Sequence, residues 1–423
     1  MNRKHDKVPF FLSLALAALC AGAAFAGEQE AQAGGDDLAY EKIKLFAETL
    51  LHVKRHYVEE KSYEEIVHGG LRGLLQSLDP HSDFLDAAAY RAMRENAASK
   101  FGGIGITVGL RNGALIVIAP MEGTPAFEAG ILAGDIIVKV DGEKSDGMSL
   151  RDAVGKLRGP KGEPVHIAVQ RVDEADAREY TLVREEIEIE SVKGARLVRD
   201  RIGYVRLTQF SRPTAAALRE ALEALVDQGL QALVLDLRNN QGGLLEMSVD
   251  VAQLFLERDA VIVATRGREG VHDEVEKVAG GETRYLTVPM VALVNGGTAS
   301  AAEIVAGALQ DHGRAILIGE TTFGKASVQS LIQLEADEEV AIRLTIGQYY
   351  TPAGRAIHGT GIDPCIEMTL PARQWRDIVI RQRHRENPDH YSEEEMREYE
   401  DVMDPPLERA LDILQGVLLF RSS

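Results

Sequence analysis

Residues 288–303, VPMVALVNGGTASAAE, contain the strand-to-helix transition that decides the fold of this chain. The first seven of them form a short apolar run rich in β-branched side chains, which is typical of a buried strand. An asparagine and two glycines follow at 295–297 and predict a turn. Residues 299–310 then have apolar side chains at helical spacing: Ile304, Val305, Ala308 and Leu309. The stretch therefore predicts a buried strand that leads directly into a helix.

The same alternation of strands and helices extends through the second half of the chain. Apolar strands are predicted at 204–207, 232–237, 261–265, 288–294 and 314–318, with helical sequence between them. Such alternation is typical of a layered α/β fold. Two longer strands, at 327–334 and 340–350, follow and predict a hairpin.

Ser300 lies where the predicted helix begins, directly after the strand and its turn. Free backbone N–H groups and the helix dipole favour negative charge there, which suits an oxyanion and disfavours a protonated lysine nearby. The spacing Ser300-x-x-Glu303 is also that of a capping box, in which the serine caps the helix and the glutamate returns the bond. Taken alone, this local pattern favours the capping role.

Lys325 lies in TTFGKASVQ, residues 321–329, among glycine and small side chains rather than on a charged face. A serine hydroxyl becomes a good nucleophile when a neighbouring base takes its proton. A lysine amine can be that base when burial lowers its pKa towards neutrality. Ser300 and Lys325 together therefore predict the site of a Ser-Lys peptidase.

These motifs resemble those of the carboxy-terminal processing proteases, also called tail-specific proteases, from about residue 38 to the C-terminus. The resemblance implies that Ser300 is the nucleophile and Lys325 the general base. It also implies that Gln329 orients the lysine.

A pair of glycines follows the predicted strand at 232–237, in the sequence RNNQGG at 238–243. Adjacent glycines let backbone N–H groups approach a ligand because no Cβ stands in the way. The resemblance implies that one of these glycines and the backbone of Ala301 form the oxyanion hole, and we favour Gly243 over Gly242. The alternative is a simple glycine loop or helix C-cap.

Residues 100–185 are rich in predicted β-structure and resemble a PDZ domain. The segment 122–142, EGTPAFEAGILAGDIIVKVDG, carries a small-residue helix, a Gly-Asp turn and an apolar strand. By the same resemblance, the carboxylate-binding loop consists of Gly103, Ile104, Gly105 and Ile106. Backbone amides of such a loop bind the terminal carboxylate of a chain while the next strand pairs with the peptide. The expected partners are proteins or peptides with free C-termini and small or apolar last residues.

Arg158 lies at the end of a helix predicted at 149–157, which precedes a strand predicted at 165–171. In related proteases this part of the PDZ domain communicates peptide binding to the active site, so Arg158 is the candidate regulatory contact. The alternative is a basic residue that offsets the dipole at the helix C-terminus, and the sequence slightly favours it.

The N-terminus has the sequence of a secretory signal at 1–26, with basic residues, an apolar stretch and an Ala-x-Ala cleavage site. A polar linker is predicted at 27–37. Export would place the protein in the periplasm or cell envelope, with membrane association left open. The formal net charge of −19 argues against nucleic acid as a partner. No metal or cofactor motif is present, so none is expected.

The expected architecture follows from these segments. It is a layered α/β (crotonase/ClpP-like) serine-protease core at 186–370, an inserted β-rich PDZ domain at 100–185, and helical regions at 38–99 and 371–423. A homodimer and an activating adaptor are further partners that the resemblance allows. The alternative function is a catalytically silent PDZ-containing binding or adaptor protein. The joint presence of Ser300, Lys325 and Gln329 favours the endopeptidase.

Overall fold

A computed structural model describes residues 40–421, apart from 112, 122, 133, 172–175, 200, 270, 272–273, 281–284, 336 and 387–392. The predicted signal segment and linker therefore lie outside the described residues. The chain divides into two compact units, Met1–Phe84 and Leu85–Ser423. No helix in the described part of the chain is both long and apolar enough to cross a membrane.

The described part of the first unit, from residue 40, is mainly helical, as the sequence predicts. Helix α1 covers 40–56 and helix α2 covers Tyr63–Gln76, after which the short strand β1 begins (Asp83–Leu85). Helix α2 starts with a capping box, because the Glu65 N–H donates to Ser62 Oγ and the Ser62 N–H donates to the Glu65 carboxylate. Several apolar side chains of α1 are exposed, among them Ile43 and Phe46.

The first part of the second unit is a small sheet with its own core. Its elements are α3 (Ala87–Ala98), β2 (Lys100–Gly103), β3 (Ile106–Arg111), β4 (Ala114–Pro120), α4 (Pro125–Glu128), β5 (Ile136–Val140), β6 (Glu143–Lys144), α5 (Leu150–Leu157), β7 (Pro164–Gln170), β8 (Arg178–Val183) and β9 (Glu185–Glu188). The strand order is β3-β4-β5-β7-β8, with β6 on β5. Strands β2 and β9 pair antiparallel where the chain enters and leaves this region.

The remainder of the second unit contains a six-stranded sheet and a second, antiparallel sheet. Its elements are β10 (Val192–Arg199), β11 (Ile202–Leu207), α6 (Thr214–Asp227), β12 (Ala232–Asp236), α7 (Leu245–Ala252), β13 (Val261–Gly267), β14 (Val275–Val278), β15 (Met290–Val294), α8 (Ala301–Asp311), β16 (Ile316–Gly319), β17 (Ser327–Leu334), β18 (Asp337–Tyr350), β19 (Ile366–Glu367), α9 (Ala372–Glu386), α10 (Glu393–Glu398) and α11 (Pro405–Arg421). The large sheet has the order β10-β11-β12-β15-β16-β19 and is parallel from β11 to β19.

Helices cover both faces of the large sheet, which explains why its central strands β12 and β15 are mainly apolar. Leu233 and Leu235 of β12 pack with α6, α7 and α8 in the main core. Ala232 and Val234, which alternate with them, face the opposite side and pack with α11. Alternate side chains of a strand point to opposite faces, so a strand buried on both sides shows no polar positions. The mixed, layered α/β fold is confirmed.

A buried ionic cluster fixes the carboxyl end of β12 to the C-terminal helical region. Arg238 donates to Asp236 at 2.7 Å and to Asp404 at 2.8 Å, and all three side chains are at most 3 % exposed. Burial raises the pKa of the Asp236 carboxyl, but the charge and hydrogen bonds of Arg238 outweigh it and hold that pKa below its usual value. These buried ion pairs therefore fix the position of Arg238, the first residue of the loop 238–243.

One predicted strand has a different partner from the one that the alternating pattern suggests. The strand predicted at 261–265 is β13, and it pairs antiparallel with β18 in the second sheet instead of joining the parallel sheet. Its apolar residues Ile262 and Val263 still enter the main core, which is why it resembles a parallel-sheet strand in sequence. The predicted hairpin is confirmed as β17 and β18, which pair antiparallel.

Candidate active site

Two loops meet at the carboxyl ends of the adjacent parallel strands β12 and β15. Asn295 Oδ1, just after β15, accepts the Asn239 N–H at 2.9 Å. Thr298 Oγ1 donates to the Leu237 carbonyl oxygen at 2.9 Å, so side chains of one loop fix the backbone of the other. Ser300 follows directly and precedes α8, as the sequence predicts.

The backbone at Ser300 is strained. Its φ is +55° and its ψ is −120°, values that a residue with a Cβ rarely adopts. Such a conformation persists only where the surrounding structure enforces it, and it is concentrated at functional sites. The Glu303 half of the predicted capping box is present, because the Ser300 N–H donates to the Glu303 carboxylate at 2.8 Å, while the Glu303 N–H donates to the Ser300 carbonyl oxygen at 2.8 Å.

Glu303 joins the two halves of the site. Its side chain is fully buried, and its carboxylate accepts four hydrogen bonds. One oxygen accepts the Ser300 N–H at 2.8 Å and the Lys325 N–H at 2.9 Å. The other accepts the Thr322 hydroxyl at 2.5 Å and the Gly324 N–H at 2.7 Å. The sequence identifies Glu303 only as a helix-capping residue, yet its carboxylate also binds the segment that carries the lysine.

Lys325 lies on the irregular segment immediately before β17, at a bend that Gly324 makes possible. Gly324 has φ +85°, and a Cβ there would lie 2.7 Å from the Gly361 nitrogen. The Lys325 side chain is partly buried. Burial lowers the pKa of its amine, and the positive charge of Arg343 lowers that pKa further. No hydrogen bond joins Lys325 Nζ to Ser300 Oγ in this structure.

Gln329 lies on β17, just after an irregularity in the pairing with β18. Its carboxamide nitrogen is 3.4 Å from Ser327 Oγ, to which it donates. The side chain therefore contacts Ser327 here, and it makes no hydrogen bond to Lys325.

The two glycines of the 238–243 loop differ in the use of their N–H groups. The Gly242 N–H donates to Asn240 Oδ1 at 2.9 Å. Phe210 pairs with the backbone around Gly243 through the Gly242 carbonyl and the Leu244 N–H, at 2.9 and 2.8 Å. These contacts leave the Gly243 N–H without a partner among the described residues.

The same loop lies directly against Ser300. A Cβ on Gly242 would be 2.8 Å from both Ser300 Cβ and the Ala301 nitrogen, so only glycine fits. Ala301 is the first residue of α8, and its N–H has no acceptor within the helix. Two unused backbone donors, at Gly243 and Ala301, are therefore available near the serine.

Tyr349 is a member of the site that the sequence does not reveal. It lies on β18, its side chain is buried, and its hydroxyl donates to the Lys325 carbonyl oxygen. Burial raises the pKa of that hydroxyl far above its usual value, and the negative charge of Glu303 raises it further. A tyrosine near the end of a long strand carries no sequence signal that separates this role from packing.

A groove between β3 and α5 contains the loop Gly103–Ile106. Its volume is about 200 Å³, and its lining includes Ile104, Ile106, Val108, Val154, Leu157 and Arg158. Strand β3 is at the edge of its sheet, so its outer backbone groups can pair with an added strand.

In the loop Gly103–Ile106, two carbonyl oxygens accept hydrogen bonds from the chain, while two N–H groups donate to no described residue. The Ile104 carbonyl accepts the Ala126 N–H at 2.9 Å, and the Gly105 carbonyl accepts the Met121 N–H at 2.8 Å. The N–H groups of Ile104 and Gly105 have no acceptor among the described residues. This arrangement presents hydrogen-bond donors to the groove.

Arg158 lies at one end of the groove, directly after α5. Its guanidinium stacks on the Phe101 ring, 4.0 Å from the centroid. Burial lowers the pKa of Arg158, and the facing Glu95 carboxylate on α3 opposes this effect. Arg158 therefore contacts Phe101, another residue of the groove lining, and faces α3, which is not part of that lining.

Comparison with known proteins agrees with this geometry. Residues 201–368 match the model of peptidase family S41, and residues 116–171 match that of a PDZ domain. A carboxy-terminal-processing protease of Bartonella bacilliformis is 40 % identical over 340 residues, which cover 79 % of this chain and 77 % of that protein. The carboxy-terminal processing protease CtpA of Bacillus subtilis is 35 % identical over 346 residues, which cover 82 % and 72 %.

A solved Bacteroides fragilis structure assigned to the S41 proteases has the same fold, with a TM-score of 0.51 at 16 % identity. That match covers 87 % of this chain and 95 % of the other. The chain is thus a serine peptidase, a hydrolase of peptide bonds that carries a PDZ domain. It belongs to the carboxy-terminal processing protease family.

Proposed function

We propose that this peptidase cleaves proteins that it selects by their C-termini, with Ser300 as nucleophile and Lys325 as general base. The observation that carries the proposal is the buried Glu303 carboxylate, which binds the backbone of both residues at once. The lowered pKa of Lys325 supports the same assignment, because only the neutral amine can accept a proton.

The proposed chemistry uses the groups that the structure leaves open. Lys325 takes the proton of Ser300 Oγ as that oxygen attacks the scissile carbonyl carbon. The N–H groups of Gly243 and Ala301 stabilise the oxyanion that forms. Lys325 then returns the proton to the leaving amine, and water releases the acyl group in a second round. Gln329 orients the lysine once its carboxamide leaves Ser327.

The PDZ groove supplies the choice of substrate in this proposal. A free carboxylate fits the open amides of Ile104 and Gly105, with Gly103 and Ile106 completing the loop. The apolar walls fit one or two small or apolar residues behind it. Arg158 is the proposed link from the occupied groove to the catalytic region, because it lines the groove and faces Glu95 on α3, a helix that packs against β18.

The remaining parts of the proposal concern organisation and place. We assign the PDZ domain to 100–185, the Ser-Lys protease domain to 186–370, and helical regions to 38–99 and 371–423. A signal segment at 1–26, followed by a linker at 27–37, would export the protein to the periplasm or cell envelope. An activating adaptor and a homodimer fit this organisation.

Proteolysis of an unfolded model protein tests the site. We expect Ser300→Ala and Lys325→Ala each to abolish cleavage, because a nucleophile and its base act as a unit. Lys325→Arg should also abolish it, because a guanidinium stays protonated and cannot act as a base. The control is Lys277→Ala, which removes a partly exposed lysine elsewhere in the protease region. Cleavage by Ser300→Ala would refute the nucleophile, and cleavage by Lys325→Arg would refute the general base. A wild-type protein that binds peptides without cleaving them would support the silent adaptor instead.

A further inference from the structure

We propose that the Tyr349 hydroxyl is a positioning group for catalysis, which fixes the Ser300 side chain relative to the backbone of Lys325. This inference rests on the proposed roles of Ser300 and Lys325. It assigns a function to a buried tyrosine that the proposed reaction does not itself require.

Tyr349 binds the lysine segment through both its backbone and its side chain. Its N–H donates to the Ala326 carbonyl oxygen at 2.9 Å, and its hydroxyl donates to the Lys325 carbonyl oxygen. Glu303 binds the N–H of the same lysine from the other side. The two peptide groups that flank the Lys325 side chain are therefore both fixed, one by Glu303 and one by Tyr349.

Ser300 lies close to this segment, because the Ser300 and Lys325 N–H groups donate to the same Glu303 oxygen, at 2.8 and 2.9 Å. The Ser300 side chain, as a hydrogen-bond donor, acts to lower the pKa of the Tyr349 hydroxyl, against the larger effect of burial. A neutral phenol donates one hydrogen bond and can accept another, so it can bind the Lys325 carbonyl and Ser300 together. The hydroxyl stays neutral because burial holds its pKa far above the working range.

This geometry predicts a specific kinetic effect. Tyr349 belongs to the main core and is only 3 % exposed. It is not among the residues that line the PDZ groove. Loss of the hydroxyl should therefore reduce the chemical step and leave substrate binding unchanged. The loss of one buried hydrogen-bonding group corresponds to about a tenfold decrease in rate.

Tyr349→Phe tests the proposal, because the ring that packs in the core is kept. The matched control is Tyr350→Phe, whose ring stacks with Arg266 at 4.4 Å rather than contacting Ser300. We would measure kcat and KM on a peptide and the rate at which a fluorophosphonate labels Ser300. Labelling reports the reactivity of the serine without a contribution from the PDZ groove. Thermal unfolding of each variant checks the fold.

We expect Tyr349→Phe to lower kcat and the labelling rate about tenfold, with KM unchanged and with Tyr350→Phe equal to wild type. Wild-type kcat and labelling in Tyr349→Phe, with Ser300→Ala inactive, would overturn this inference and leave the proposed function intact. Activity in Ser300→Ala would refute the proposed function itself. If Tyr349→Phe does not fold, site-specific 4-fluorophenylalanine at 349 replaces it, because it removes the hydroxyl donor and fills much of the same space. An unchanged kcat in that protein would also overturn the inference.

Discussion

The PDZ groove and the region around Ser300 differ in how they use their hydrogen-bonding groups. In the groove, the amides of Ile104 and Gly105 are unpaired and face an open volume. Beside Ser300, the Glu303 carboxylate is fully buried and accepts four hydrogen bonds. The groove thus leaves donors open to an added partner, whereas the segments that carry Ser300 and Lys325 are held by a carboxylate of the chain itself.

Glu303→Gln tests the catalytic half of this comparison and should have the largest effect. Each carboxylate oxygen accepts two donors, so the amide group of glutamine must face two of them in either orientation. We expect the variant to lose about 2–4 kcal/mol of stability, since at least two buried donors lose their acceptor. We also expect proteolysis to fall by about a hundredfold or more, because Ser300 and the Lys325 backbone are no longer joined.

The matched control is Glu320→Gln. Glu320 accepts a single backbone N–H, from Leu370 at 3.1 Å, and a glutamine can accept the same bond. Urea unfolding and cleavage of an unfolded protein provide the two measurements. Wild-type stability and activity in Glu303→Gln would show that the carboxylate does not hold the two segments together.

The same comparison explains what the sequence could and could not predict. The strand predicted at 288–294 is found as the fully buried β15 (Met290–Val294), because an apolar run reports burial directly. The loops containing Ser300 and Lys325 were identified from local motifs. The sequence predicts Glu303 only as a helix-capping residue, because the Ser300-x-x-Glu303 spacing indicates the contact with Ser300. The contact of Glu303 with Lys325 spans 22 residues, so local spacing does not indicate it. Periodicity also could not reveal that β13 pairs with β18, because it shows that a strand is buried and not which strand it joins.

Blocking the C-terminus of a substrate tests the recognition half of the comparison and should have the second largest effect. We expect a peptide with a free carboxylate after small or apolar residues to be cleaved about ten- to a hundredfold faster than its C-terminal amide. Amide donors bind a charged carboxylate much more strongly than a neutral carboxamide. The kcat/KM values of the two peptides, measured in parallel, check this. Equal values would show that the loop Gly103–Ile106 is only a turn.

Gln329→Ala should have a smaller effect than either. Because the proposed nucleophile and base both remain, we expect kcat to fall about tenfold without disappearing. The control is Gln333→Ala, further along β17, whose carboxamide binds the Glu338 carbonyl at 2.6 Å. Full activity in Gln329→Ala would mean that the carboxamide stays with Ser327 during turnover and does not orient Lys325.

Arg343→Gln should have the smallest effect, seen in the pH dependence rather than in the maximal rate. Burial is the main cause of the lowered Lys325 pKa, and the positive charge of Arg343 adds to it. Removing that charge makes the protonated amine less unfavourable, so the Lys325 pKa should rise while burial still keeps it below its usual value. The general base must be unprotonated, so activity should rise at higher pH in the variant than in wild type and reach the same plateau.

Arg376→Gln is the control for Arg343→Gln, because Arg376 is an exposed arginine on α9 that pairs with Asp377. Added salt should shift the wild-type profile in the same direction, since it screens the charge of Arg343, and should shift the Arg343→Gln profile less. An Arg343→Gln profile that coincides with wild type at low salt would mean that burial alone sets the pKa of the base. The protease region would then tune its lysine by exclusion of water only, with no contribution from the charge on β18.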